Sequence, residues 1–233
     1  MTLRRAGSLL FLCLAAAGFA AAQTVLIPAE PPNLGKLALE LRAYHDCTGS
    51  HGCYTADLNR ETAEATAALE RLARANRGSA HPARLAVVLD IDDTALSNWE
   101  EIRQADFAYS AADWNRWVAE ARAPVIPGTL RFYREAEQLH VAVFFITGRP
   151  ESQRAATEAN LRNQGYTRWD GLVMRSQQEL PLSAAVYKAA ARRRLVAAGY
   201  RIAVNVGDQR SDLAGSPQAE VSVKLADPFY YIP

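Results

Sequence analysis

The stretch Leu85–Asn98, LAVVLDIDDTALSN, constrains this chain more than any other. A short apolar run, Leu85 to Leu89, stops abruptly at the carboxylates Asp90, Asp92 and Asp93 and gives way to small polar residues. A continuous run rich in Val and Leu is the pattern of a strand buried on both faces of a parallel sheet. Asp90 then stands at the strand's carboxyl end, the edge of an open α/β sheet where ligands bind. Two plainer accounts compete. Asp clusters after strands are commonly turn residues that bond their own backbone. A calcium loop counted from Asp90 would find ligands at Asp92, Thr94 and Asn98, with Glu101 in twelfth place. Its sixth position, however, is Ala95 where the sharp turn requires Gly, and a strand rather than a helix leads in.

From Pro127 the chain alternates. Pro127–Leu139 reads as a helix, and Val141–Ile146 as a second buried strand ending at Thr147-Gly148-Arg149. Pro150 opens a helix that Gly165 closes. Gly171–Met174 is a short strand, Ser183 caps a helix running to Gly199, Arg201–Val206 is a strand ending at Gly207-Asp208, and Val221–Leu225 is the last. Strands separated by helices imply right-handed crossovers, hence an α/β fold: a Rossmann-like parallel sheet with helices on both faces. Three strands then end in polar groups on one edge: Asp90 and Asp92, Thr147 and Gly148, Asp208 and Asp212. One such coincidence is cheap, but three displace the turn-only account of Asp90.

Residues 1–22 read as a secretory signal. Arg4 and Arg5 precede an apolar core, and Ala20-Ala21-Ala22 offers small residues for cleavage. Cys13 follows Leu10-Phe11-Leu12, which lacks the small residues placed before a lipoprotein cysteine, so no membrane anchor is expected. Removing 22 of 233 residues leaves 211, with 24 Lys+Arg against 25 Asp+Glu, because Arg4 and Arg5 go with the signal and no acid does. That length suits one domain over 23–233, comprising an N-terminal helical extension (23–80), a cap insertion (98–126) and a short linker, Pro28–Pro32. The near-neutral balance without a basic run argues against nucleic-acid binding. A homodimer is compatible with the sequence, but nothing in it requires one.

Cys47 and Cys53 remain after cleavage, and in an exported chain a disulfide closing their loop is the favoured account. A metal site from His45, Cys47, His51 and Cys53 is the alternative. The bridge would staple a helical hairpin, Asn33–Asp46 and Thr55–Arg77, the second stopped by Gly78. Within the cap, Trp114 and Trp117 stand three apart on one helix face, as a core stripe or as a stack for a flat substrate group.

The edge groups suit phosphoryl transfer through a covalent intermediate. A carboxylate at Asp90 attacks phosphorus, and water later breaks the aspartyl-phosphate. A divalent cation held by Asp90 and Asp208 removes the repulsion between nucleophile and substrate, and a carboxylate-rich set without Cys or His points to Mg²⁺. Asp92 can protonate the leaving group if neighbouring carboxylates hold its own proton. Thr147 Oγ and the Gly148 N–H can bind phosphate oxygens, with Lys188 adding a fixed positive charge. Each has a bland counterpart, since most helix lysines are solvated and Thr-Gly after a strand is an ordinary turn. Arg149, Arg192, Arg193 and Arg210 read as surface or rim.

DIDDT, FFITGR, the helix with Lys188, and GDQRSD, in that order, resemble the four motifs of the haloacid dehalogenase (HAD) superfamily of phosphotransferases. The finer likeness, in DIDDTALSN, APVIPGTLRFY, ITGRPESQR, VYKAAARRRLVAAGYRIAVNVGDQRSDL and ADPFYYIP, is to its acid phosphatase branch, subfamily IIIB. That branch includes bacterial class B and class C enzymes and plant vegetative-storage-type proteins. The resemblance implies Asp90 as nucleophile and Mg²⁺ ligand, and Asp92 as acid/base with its backbone carbonyl on the metal. It implies Thr147 and Lys188 on phosphate, Asp208 as a direct metal ligand and Asp212 supporting the metal from behind its ligands. The expectation is therefore an exported, secreted or periplasmic, Mg²⁺-dependent phosphomonoesterase with an acid optimum. Its substrates are small phosphomonoesters, nucleoside monophosphates among the candidates. The alternatives are a non-catalytic phospho-ligand-binding or storage protein on the same fold, and a phosphotransferase that passes phosphate to an alcohol.

Overall fold

The computed structural model describes residues 30–232, so the signal segment, Cys13, and Pro28 and Ala29 of the linker lie outside the described residues. The strands are β1 (Arg84–Leu89), β2 (Ala142–Pro150), β3 (Gly171–Arg175), β4 (Tyr200–Gly207) and β5 (Val221–Lys224). They form one sheet in the order β3-β2-β1-β4-β5, every neighbouring pair parallel. The chain steps outward from β1 to one side, then returns to build the other, which leaves a crevice at the carboxyl ends of β1 and β4. Register aligns these ends: Leu89 lies beside Phe145 of β2 and Val206 of β4.

Side chains of the central strands alternate between two cores. Leu85, Val87 and Leu89 of β1, with Val143 and Phe145 of β2, face the larger core, which also takes in Leu58, Ala65 and Leu69 of α2 (Tyr54–Arg77) and Phe132 and Tyr133 of α5 (Pro127–Gln138). Ala86, Val88, Phe144 and Ile146 face the other core, closed by Tyr187, Ala191 and Leu195 of α7 (Ala184–Ala197). A parallel sheet covered on both faces is what the continuous apolar runs require.

Pro150 does not open a helix. It is the last residue of β2, extended at φ −72° and ψ 155°, paired with Arg175 of β3, and followed by a 3₁₀ turn at Glu151–Gln153 before α6 (Arg154–Asn163). Proline's fixed φ suits a strand end as well as a helix start.

The helical hairpin is α1 (Leu34–Asp46) and α2, joined by a Cys47–Cys53 disulfide with Cα atoms 5.5 Å apart. With both thiols so used, the metal alternative falls. His45 instead stacks on Trp99, ring centroids 3.9 Å apart at 12°. Trp99 opens α3 (Trp99–Gln104), which is followed by α4 (Ala111–Glu120). No helix among the described residues is long and apolar enough to cross a membrane.

Candidate active site

Asp90 follows β1 directly and donates its backbone N–H to Val206 O of β4 at 3.0 Å, so its side chain starts from a position held by the sheet. α7, capped by Ser183, carries Lys188 beneath the same edge, and Lys188 Nζ lies 2.5 Å from both Asp90 Oδ1 and Asp212 Oδ1. Asp208 follows β4, and Asp212 returns from the one-turn helix α8 (Arg210–Leu213). Gly207 permits that return, because a Cβ there would sit 2.3 Å from Asp212 Oδ2. Carboxylate oxygens of Asp90, Asp208 and Asp212 lie within 4.8 Å of one another, all three residues buried. Thr147 is buried and its Oγ1 faces Asp92 Oδ2 at 3.4 Å, while Gly148 is exposed at the rim. All the edge residues named from the sequence therefore converge on one crevice.

The electrostatics of that crevice are lopsided. Burial, with the charges of Asp212, Asp208 and Asp92, pushes the Asp90 carboxyl well above its usual range against the opposing pull of Lys188. Burial and the charges of Asp212 and Asp227 raise Asp208 in the same way. Burial alone would lower Lys188, but Asp212 and Asp90 outweigh it and hold the ammonium protonated. Carboxylates pushed upward around an already paired lysine carry more negative charge than the side chains neutralise. An all-oxygen set with that surplus could hold a hard divalent cation.

Asp92 differs, because its nearest charged partner is the Arg149 guanidinium rather than the neighbouring carboxylates expected from the sequence. Burial pushes it upward, but the charge and hydrogen bonds of Arg149, with Asn98 and Lys188, bring it below the ordinary carboxylate range. Arg149 is no rim residue. It is buried, with Nη2 2.7 Å from Asp92 Oδ1. Arg192 is likewise fully buried, donating from Nη1 to Asp212 O at 2.6 Å, from Nε to Pro217 O at 2.9 Å and from Nη2 to Ala214 O. Of the arginines assigned to the surface, Arg193 and Arg210 are exposed.

Further buried groups surround these. Asp93 adopts φ 50°, a left-handed conformation that Asp tolerates, and accepts from Asn98 N at 2.8 Å and Asn98 Nδ2 at 3.1 Å. Burial and the charge of Asp208 push it up to about 8. Tyr230 OH and Gln209 Nε2 donate to Asp208 Oδ2 at 3.0 and 2.7 Å, and Gln209 Nε2 also donates to Asp227 Oδ2 at 2.6 Å. Burial and the charge of Asp93 push Asp227 up to about 7. Of the paired tryptophans, Trp117 is core: it is 3% exposed and donates to Asn98 Oδ1 at 2.9 Å, so it has no face to offer a substrate. Trp114 is half-buried over the Arg149 guanidinium, 5.8 Å from Cζ to ring centroid.

Residues 33–233 match the family model of the HAD superfamily, subfamily IIIB (acid phosphatase). The chain belongs to that family. Acid phosphatase 1 of Solanum lycopersicum is 36% identical over 148 residues, covering 62% of this chain and 58% of that protein. The Stem 28 kDa glycoprotein of Glycine max is 37% identical over 150 residues, covering 62% and 59%. Vegetative storage protein 1 of Arabidopsis thaliana is 32% identical over 152 residues, covering 63% and 55%. The chain thus spans less than two thirds of the length of the curated relatives it matches. The class C acid phosphatase from Bacillus anthracis shares the HAD fold with a TM-score of 0.68, at 20% identity, over 85% of this chain and 86% of that one.

Proposed function

We propose that this subfamily IIIB protein is an exported, Mg²⁺-dependent acid phosphatase that hydrolyses small phosphomonoesters through an aspartyl-phosphate on Asp90. The observation that carries the proposal is the convergence of Asp90, Asp92, Lys188, Asp208 and Asp212 in one crevice, a surplus of buried carboxylate that a ligand binder has no use for. Residues 1–22 act as the export signal, 23–233 form the phosphatase domain, and 98–126 cap the crevice.

Asp90 attacks phosphorus while Asp92 gives its proton to the departing alkoxide oxygen. The P–O bond to the alcohol breaks as the P–O bond to Asp90 forms. Asp92, now ionised, takes a proton from water, which attacks the phosphorus and returns Asp90 with release of phosphate. Thr147 Oγ1, the Gly148 N–H and Lys188 Nζ hold the phosphoryl oxygens. Asp90, the Asp92 carbonyl and Asp208, with Asp212 supporting them, would hold Mg²⁺, which would supply charge neutralisation at the phosphoryl group.

The test is chromophore release from an aryl phosphate by residues 23–233, with Mg²⁺, with chelator, and with Asp90→Asn. Activity that needs Mg²⁺ and drops at least ~10³-fold in Asp90→Asn supports the proposal. A folded wild type that binds phosphate but releases no chromophore would favour the storage account, which the vegetative storage proteins among its relatives keep in view. Leaving group released in excess of free phosphate when alcohol is added would identify a phosphotransferase.

A further inference from the structure

We infer that Arg149 is a positioning residue for Asp92, gripping that carboxylate from the protein interior so that it meets the leaving oxygen of unactivated, alkyl phosphomonoesters. The inference rests on the phosphatase proposal above and extends it to a residue outside the chemistry itself. Arg149 Nε donates to both carboxylate oxygens of Asp92, at 3.1 and 3.2 Å, and Nη2 donates to Oδ1 at 2.7 Å. The pair is asymmetric in depth: the Arg149 side chain is 1% exposed and that of Asp92 18%. The guanidinium therefore holds the carboxylate from behind and leaves an edge of it facing the crevice.

Arg149 is itself fixed from two sides. Its Nη1 donates to Thr157 Oγ1 of α6 at 3.1 Å, with Thr157 fully buried, and the Trp114 ring of α4 lies over Cζ. Asn98 Nδ2 completes the cradle, donating to Asp92 Oδ1 at 3.1 Å. A planar fork bonded at three nitrogens defines the carboxylate plane in a way one ammonium would not. General-acid help depends on that plane being right when the P–O bond breaks. Esters whose alcohol departs without a proton make no such demand.

The experiment compares kcat/KM for an alkyl phosphate, glycerol phosphate, with kcat/KM for dinitrophenyl phosphate, in wild type and in Arg149→Gln, with Mg²⁺. This parameter stops at formation of the aspartyl-phosphate, so the shared hydrolysis of the intermediate does not mask the difference. We expect a loss on the order of 10²-fold for the alkyl ester and less than about tenfold for the dinitrophenyl ester. Thr157→Val, which removes only the far anchor, should skew the ratio in the same direction by a smaller factor, and it serves if Arg149→Gln does not fold. Equal losses on both esters, or none, in an active enzyme would overturn the inference alone. A wild type silent on both esters would remove the phosphatase proposal and this inference with it.

Discussion

At its amino edge the sheet borders a cavity of about 490 Å³ lined in part by Arg77, Arg84, His140, Arg168, Trp169 and Tyr200. At its carboxyl edge the space between Asp90, Lys188, Arg192 and Asp212 is nearly filled by their own side chains. The larger cavity is the less suited to holding an anion tightly. Its arginines are exposed and keep their hydration, so a bound anion would have to displace water from charges already satisfied. The carboxylates of the opposite edge have been taken out of water and offered too few cations, an arrangement that a divalent metal would relieve. The helices contribute to the contrast, since in a doubly wound sheet their amino termini gather at the carboxyl edge and favour anions there.

The largest effect that would sharpen this contrast is metal linkage. Saturation of the carboxyl edge with Mg²⁺ at about a hundredfold its Kd should stabilise the protein by ~2.7 kcal/mol, or ~5–10 °C in Tm for a chain of this size. Asp208→Asn should abolish that shift. The Asp208 carboxyl is raised in the folded state by burial and by Asp212, so its ionised form opposes folding at neutral pH. The metal-free variant should accordingly melt above metal-free wild type. Calorimetry with Mg²⁺ and with chelator reads both; an Asp208→Asn protein that keeps the Mg²⁺ shift would break the assignment of the surplus charge to a metal.

Most of the carboxyl edge was legible in the sequence for a local reason. An apolar run that stops at Asp, Thr-Gly or Gly-Asp declares a strand and its end within a few residues, and register in a parallel sheet brings such ends level. What escaped was whatever depends on a partner far along the chain. An arginine reads as surface unless its counter-groups are known, and those of Arg149 lie at Asp92, while those of Arg192 are carbonyls of α8 and the loop after it. Asp227 and Tyr230 reach Asp208 and Gln209 from the tail, a placement no spacing predicts. Pro150 escaped because proline's fixed φ serves a strand end and a helix start equally. The identical three-residue spacing of Trp114 and Trp117 could not say that one would be core and the other lie half-buried over Arg149.

The hairpin tests whether the carboxyl edge depends on its surroundings. The double change Cys47→Ser/Cys53→Ser should cost about 2 kcal/mol, since a short loop gains little from closure, lowering Tm by ~4–8 °C while the Mg²⁺ shift survives. Loss of that shift would mean that the hairpin, through His45 and Tyr54 against Trp99 and Phe229, helps to build the metal site.

A smaller, pH-dependent effect belongs to His45. Burial against Trp99 and Tyr54 lowers its proton affinity below the ordinary 6.5, against the weaker opposing pull of Asp46. Below that pH the unfolded chain takes up a proton that the folded chain refuses, so stability falls as pH drops from 6.5 toward the folded value. His45→Phe keeps the stack and removes the titration. Its Tm should therefore fall less than wild type's between pH 7 and pH 5, as a paired series of melts would show; parallel curves would mean that His45 is free to charge in place.

The smallest effect is expected at the amino edge. Arg84 donates to Tyr200 OH at 2.7 Å and lies 4.3 Å from the ring centroid, an exposed arrangement worth less than about 1 kcal/mol. Arg84→Ala should leave kcat/KM on aryl and alkyl phosphates within about twofold of wild type and the Mg²⁺ shift unaltered, because the opposite edge draws its field from its own buried carboxylates and falls off within a Debye length of ~8 Å at physiological salt. A loss beyond tenfold would show that the cavity's cations steer or hold substrate after all, and that exposed charge beside a large volume counts for more here than the two edges suggest.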